Sequence, residues 1–467
     1  MKTKIMKILL VIYDNMSHVS VFPLGAAYVA SACRNAGHEV RVYHQDVYHW
    51  PESHLRQLLD HERFDAVGVG IIGGYYQYRK LLKISEAINQ SRNRPFYILG
   101  GHGPSPEPEF FLKKTGADAV VIGEGEVTMV ELLKALEVGT PLKNVQGVAF
   151  MDNGRFCQTA KRPPVEDIDS LALPAHDLFP MDHYTLLRDP NMSNSDRYMA
   201  VITGRGCPFR CNFCYRMDPG FRPRSMRGII EEIRLLRKDY HVTYIEFVDE
   251  LLMSSEARTV ELCEGFIKAG LGVKWFCNGR LNYAKPDVLR VMKEAGCVFI
   301  NYGIESMDEN ALRAMNKALT VRQIVSGIEE TLKAGISPGF NIIFGNIGET
   351  AESLKKGVDF LLKYDDHSQL RTIRPVTPYP GSPLYYHALE QGLLKDCEDF
   401  YERKHVNSDL LSVNFTGLSD EDFHRLLCEA NTRLIDNYYS GQRQSTLENA
   451  RRLYLERDAT FRGFRQT

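Results

Sequence analysis

Two runs of short apolar segments, each separated at regular intervals by amphipathic stretches, constrain the fold of this chain more than any other feature. In the first run, apolar segments at residues 7–13, 39–43, 64–70, 96–99 and 119–122 alternate with helical patterns at 24–36, 54–61, 78–90, 108–114 and 127–136. Strands this short and this continuously apolar belong in a parallel sheet covered on both faces, here an α/β doubly wound sheet. A second run places strand patterns at 198–202, 244–248, 273–277, 298–302, 337–344 and 370–376. Helical periodicity fills 226–239, 256–269, 285–295, 321–334 and 350–364. Six strands in series suit a partial (β/α) barrel, in which reactive groups gather at the C-terminal strand ends. Residues 140–196 are punctuated by prolines and read as a linker, with one hairpin at Asn153-Gly154. The polar tail, 391–467, reads as helical.

The bulk numbers narrow the class. A chain of 467 residues suits two or three domains. Its net charge of -2 gives no reason to expect a nucleic-acid partner. No stretch reaches the ~18 apolar residues of a membrane span. The apolar start stops at Tyr13-Asp14-Asn15 without a small-residue cleavage site, so it reads as a first strand and not a leader. Ten cysteines in a chain of this size do not form a disulfide scaffold.

Three of those cysteines stand together just after the first strand of the second run. Cys207, Cys211 and Cys214 are spaced C-x-x-x-C-x-x-C within Gly204-Arg205-Gly206-Cys207-Pro208-Phe209-Arg210-Cys211-Asn212-Phe213-Cys214-Tyr215. Buried strand cysteines rarely have Gly, Pro, Arg and Asn between them. Structural zinc takes four ligands, and the chain has no second C-x-x-C. A [4Fe-4S] cluster takes thiolates on its irons. Three thiolates leave one iron open to a small molecule that can accept an electron. Such a cluster requires a reducing, hence cytoplasmic, compartment. Cys263, Cys277, Cys297, Cys397 and Cys428 have no cluster-like spacing and read as ordinary apolar thiols, and no auxiliary cluster is expected. Cys277 is the one that falls at a strand end.

The cysteine run resembles the signature of the radical S-adenosylmethionine (SAM) enzymes. The resemblance covers about 198–385 and implies that the open iron chelates SAM, which one electron cleaves to a 5'-deoxyadenosyl radical. It also implies contacts for SAM. Phe213 would pack near the adenine. Asp249 and Glu250 would hold the methionine amino group, where a carboxylate suits an ammonium in a drying pocket. Arg280 would meet the carboxylate. Glu305 and Ser306, in Gly303-Ile304-Glu305-Ser306, would meet the ribose, and Asn341 begins an element near the adenine.

The first run resembles the cobalamin-binding domain that precedes the barrel in one large subfamily. Gly25, the pair Gly100-Gly101 with His102, and Gly123-Glu124-Gly125-Glu126 carry this resemblance, which implies cobalamin contacts. Gly70 and Gly73 belong to Gly68-Val69-Gly70-Ile71-Ile72-Gly73, a G-x-G-x-x-G run. It lies on the third strand, and no acidic residue ends the next, so the dinucleotide context fails. Glycine leaves room for a corrin to approach the backbone. The D-x-H-x-x-G histidine motif is absent, which implies either cobalamin without a protein histidine ligand or a relic domain that binds nothing.

The resemblance therefore implies a cobalamin-binding Rossmann-like domain at 1–139, a linker at 140–196, a TIM-like partial barrel at 197–390 and a helical region at 391–467. It implies a cobalamin-dependent methyltransferase acting on an unactivated carbon of a small-molecule, lipid or peptide substrate. The alternative is a relative that performs cyclisation, ring contraction or oxidative rearrangement. A flavodoxin or ferredoxin electron donor is implied as well.

Overall fold

The computed structural model describes residues 5–189, 191–217, 219–461 and 464. Its first sheet contains β1 (Lys7–Ile12), β2 (Glu39–His44), β3 (Ala66–Gly70), β4 (Phe96–Gly100), β5 (Ala119–Val121), β6 (Val148–Asp152) and β7 (Arg155–Gln158). The order is β2-β1-β3-β4-β5-β6-β7. Strands β1 to β5 are parallel, whereas β6 and β7 add on antiparallel. The expected hairpin at Asn153-Gly154 is thus present, but it extends the sheet instead of lying in a linker. Both turn residues have positive φ, which asparagine and glycine tolerate.

Strand order reverses between β1 and β3, which creates a crevice beyond their C-terminal ends. The loops at those ends expose Met16, Val21, Ile72 and Tyr76. The third and fourth strand ends are locked together at the crevice: Ile71 N–H donates to Gly100 O at 3.0 Å and Gly103 N–H to Ile71 O at 3.1 Å. Gly101 has φ +92, and a Cβ there would stand 2.5 Å from Ile71 O. Only glycine meets both demands.

The second sheet has the order β8 (Tyr198–Val201), β11 (Tyr244–Phe247), β12 (Lys274–Gly279), β13 (Cys297–Glu305), β14 (Ser337–Phe344) and β15 (Arg374–Pro375), all parallel. A separate two-stranded pair, β9 (Gly204–Arg205) and β10 (Arg222–Pro223), lies between β8 and β11 in the chain. The sixth strand is shorter than its pattern suggested, and β8 and β15 are not neighbours, so the barrel stays open. Its convex face is a helix-covered core: Phe247 stacks on Phe266 and Phe340 meets Phe360. The concave face carries Phe299 edge-on to Phe276 and Tyr244 tilted against Phe276, with Asn278, Asn301 and Asn341 beyond them.

The C-terminal region touches both sheets' layers. Tyr401 packs on Tyr78 and Phe110 of the first domain, at 4.6 and 5.7 Å between ring centres. The helix Asp420–Tyr454 lays Phe423 on Phe344 at 4.8 Å. Phe423 is fully buried. Its truncation to alanine should cost about 3–5 kcal/mol, read as a lowered urea midpoint of the barrel; an unchanged midpoint would contradict the packing described.

Candidate active site

The loop from Gly206 to Phe221 leaves β9 and returns to β10, and it carries all three motif cysteines. Little of it is regular structure. A bridge pairs Cys207 with Pro219. The rest is held from outside. Asn212 N–H donates to Met315 O at 2.9 Å, and the Asn212 and Asn346 amides exchange bonds at 3.0 and 2.9 Å. Asn316 Nδ2 donates to Arg210 O at 2.8 Å. Leu384 N–H donates to Asn212 O at 2.8 Å.

Cys211 is buried, Cys207 half-buried and Cys214 exposed. The Cys214 thiol donates to Cys211, and with Lys317 and Arg280 nearby this holds the Cys211 thiol down at about 6, against the effect of burial. The same hydrogen bond raises Cys214, and burial raises Cys207. An anionic sulfur in a cationic surround is the state an iron ligand needs. Among the described residues no three His, Cys, Asp or Glu side chains converge on one ion. A cuboidal cluster sets its thiolates on separate irons, which three cysteines on one loop can supply.

The expected SAM contacts fall into two groups. Phe213, Glu250, Arg280 and Glu305 surround the loop. Glu250 accepts from Gly206 N–H at 2.9 Å. Arg280 is 4% exposed, lies 3.5 Å over the Phe209 ring and donates to the carbonyls of Lys317 and Ala318. Its Nε has no partner, leaving one buried donor free. Glu305, at φ +67, forms a buried pair with Lys317 at 2.8 Å, and Lys317 stands 6.0 Å from the Phe213 ring. The second group works through protein partners. Asp249, expected at the methionine amino group, turns inward instead: its carboxylate accepts from Thr203 N–H at 3.0 Å and Thr203 Oγ1 at 2.8 Å. It braces the strand that feeds the cysteine loop, which leaves Glu250 as the outward acid. Ser306 Oγ donates to Glu349 at 3.1 Å. Asn341 heads a chain of amides: it donates to Asn301 at 2.7 Å, Asn301 to Asn278 at 3.1 Å, and Asn278 to Asp249 O at 2.9 Å.

Sequence reasoning missed the roles of Thr203, Asn212 and Lys317. Asn212 sits inside the motif and Thr203 just before it, whereas Lys317 lies far away in sequence and belongs to no spacing pattern. Asn346 and Glu349 lie in the element that begins at Asn341, but they hold the cysteine loop and Ser306. Cys277, noted at a strand end, faces the convex core and pairs its thiol with Cys297.

In the first domain, Gly70, Gly73, Gly100, Gly101 and His102 cluster at the crevice. Gly70 is the register partner of Gly100. A Cβ on Gly73 would meet Tyr401 Oη at 3.0 Å and Tyr379 at 3.6 Å. His102 stands edge-on to Tyr215 of the cysteine loop at 6.0 Å. Desolvation lowers its pKa, partly offset by Glu250. A Cβ on Gly381 would touch both Tyr215 and Pro106. The C-terminal ends of the two sheets therefore meet at these contacts. Gly25 has open space around it, as does Gly123, at φ +82. Gly125 stands near Val29, where a Cβ would come within 3.1 Å. Glu124 and Glu126, expected at cobalamin, bind arginines: Arg205 reaches Glu124 at 2.9 Å and Glu126 at 2.6 Å, and Arg222 reaches Glu124 at 2.7 Å.

Comparison with known proteins matches this division. Residues 201–361 match the Radical SAM superfamily and residues 15–133 the B12 binding domain. An uncharacterized methyltransferase, PH0819, of Pyrococcus horikoshii is 32% identical over 405 residues, covering 84% of this chain and 85% of that protein. The chain belongs to the B12-binding radical SAM enzymes. An anaerobic magnesium-protoporphyrin IX monomethyl ester cyclase of Rubrivivax gelatinosus is 28% identical, over 72% of this chain and 60% of that one. The structure of the radical SAM methyltransferase TsrM of Kitasatospora setae shares the fold, with a TM-score of 0.68 at 17% identity over 83% of this chain and 75% of that chain. Membership implies a [4Fe-4S] cluster, SAM and cobalamin as cofactors. Among the described residues no helix is long and apolar enough to cross a membrane.

The site fits these groups. Cys207, Cys211 and Cys214 suit the cluster. The exposed apolar loops and the glycine cradle at the strand-order reversal suit a corrin, which needs a flat apolar seat and close backbone approach.

Asp249 supplies a test of the brace. Burial pushes its pKa up to about 7, against the lowering effect of the Thr203 bonds. A carboxyl raised in the folded state stabilises most below its unfolded value, about 4, and loses that contribution as pH climbs through its folded value. Asparagine has no such loss. The unfolding free energy of Asp249→Asn relative to wild type should therefore rise from about pH 4 to 7. Parallel curves in urea melts across that range would refute it.

Proposed function

We propose that this protein is a cobalamin-dependent radical SAM methyltransferase that methylates an unactivated carbon. The observation that carries the reading is the apposition of the two strand-end regions. The crevice of the first sheet and the cysteine loop of the second face each other across His102 and Tyr215. Methyl transfer to a substrate radical needs both centres to reach one carbon. On this reading residues 1–139 carry cobalamin and 197–390 the radical site, with 140–196 joining them after adding β6 and β7 to the first sheet, and the C-terminal region packing on both.

When bound, the cluster and SAM supply a 5'-deoxyadenosyl radical, and cobalamin supplies the methyl group. The chain's own residues do the rest. Cys207, Cys211 and Cys214 hold the cluster and leave one iron open. Glu250 would offer a carboxylate to the methionine ammonium of SAM, and the buried Arg280 would offer its free Nε–H to the carboxylate. Asp249 keeps the loop in place through Thr203. Buried Tyr244, Phe276 and Phe299 close the floor of the concave face below the asparagines. The open edge between β8 and β15 gives a side entrance for a small molecule, lipid or peptide. A flavodoxin or ferredoxin supplies the electron, in the cytoplasm.

The likeness to a cyclase favours one second reading, a rearrangement without methyl transfer. Product analysis separates the two. Anaerobic protein reconstituted with iron, sulfide and cobalamin should retain a corrin spectrum after desalting. With SAM and dithionite it should form 5'-deoxyadenosine, and substrate turnover should add S-adenosylhomocysteine. Deoxyadenosine without S-adenosylhomocysteine during turnover would favour the second reading. Alanine at Cys207, Cys211 or Cys214 should abolish both cluster absorption and deoxyadenosine; a variant that kept either would overturn the ligand assignment.

A further inference from the structure

The base of the cysteine loop contains an arrangement that is unstable by itself. Strands β9 and β10 set Arg205 and Arg222 directly opposite each other as register partners. Like charges facing across a strand pair repel. The compensating carboxylates come from the other domain. Glu124, at the turn after β5, binds both guanidiniums, and Glu126, in the first turn of the helix Gly125–Val138, binds Arg205. The four side chains are mostly withdrawn from water, with 17% and 18% exposure for the arginines and 10% and 5% for the glutamates. Tyr28, from the helix Leu24–Asn35, lies under Arg205 at 5.1 Å. Glu124 also accepts from Val165 N–H at 2.7 Å, drawing the linker into the same knot. Arg205 is two residues from Cys207, so the knot ends where the cluster loop begins.

We propose that Glu124, Glu126, Arg205 and Arg222 are positioning residues that pin the base of the cysteine loop to the first domain. They thereby fix the separation of the two cofactor centres. The second clause rests on the function proposed above; the first does not. A surface ion pair would contribute little. This one is desolvated, and removing one partner strands a buried charge.

The experiment uses full-length reconstituted protein, with Glu126→Gln, Arg205→Gln and the double variant. Hydrogen exchange is read on peptides covering 204–222, and on the helix Ala351–Tyr364 on the far side of the barrel as a control. Pulsed electron paramagnetic resonance reads the distance between cob(II)alamin and the reduced cluster. Each single variant should speed exchange in 204–222 by about tenfold or more while leaving 351–364 unchanged. The double variant should be no worse than Arg205→Gln alone, since the coupled partner is already gone. The distance distribution should broaden in step. Unchanged exchange in 204–222, additive effects in the double variant, or an equal rise in 351–364 would overturn the pin. A sharp, unaltered cobalt–cluster distance despite faster exchange would overturn the claim about separation. Wild-type protein that retains no corrin would sink the methyltransferase reading, while the exchange comparison would still decide the pin.

Discussion

A loop that must present three thiolates cannot also be a well-formed strand or helix, and the rest of this molecule is arranged around that conflict. Between Gly206 and Phe221 the backbone gains almost nothing from its own ladder. Its geometry is imposed by side chains that arrive from elsewhere: Asp249 through Thr203 at the entry, Asn346 and the turn at Ala314–Asn316 in the middle, and carboxylates of the first domain at the base. Several of these groups are buried, where an unmet hydrogen bond is costly. The loop is therefore only as ordered as its neighbours are.

The same logic explains the acids. Asp249 and Glu349 are both buried and both pushed up to about 7 by desolvation, yet each accepts backbone N–H bonds at a strand end. They are internal struts, set one layer behind the surface that meets ligands. Glu250, one residue beyond Asp249, is exposed. Adjacent residues at a strand exit point in opposite directions, so one carboxylate braces and the next is free to bind.

That alternation marks the limit of what the sequence made legible. Strand positions were readable to within a few residues, because parallel strands buried on both faces leave continuous apolar runs bounded by glycine and polar turns. The cysteine loop was readable because its chemistry fixes a spacing. What could not be read was direction: whether Asp249 looks in or out, or that Glu124 and Glu126 meet arginines about 80 to 100 residues later and not a cofactor. Such pairings follow from how two sheets are docked, and no local pattern encodes docking. The hairpin at Asn153-Gly154 was visible as a turn, while its addition to the edge beside β5 depended on that edge being unpaired.

The path of the last seventy residues has a topological effect. After the sixth barrel strand the chain returns to the first domain, where Tyr401 sits among Tyr78, Phe110 and Phe111, then crosses back so that Phe423 and Asn431 fasten to the barrel. The chain thus connects the two halves twice, once through the linker and once through this returning strap, in addition to the carboxylate–guanidinium contacts between them. A protein hinged at a single connection can swing wide; one closed into a ring of contacts can only breathe. The spacing of the two sheets' C-terminal ends is therefore a property of the whole chain and not of either half.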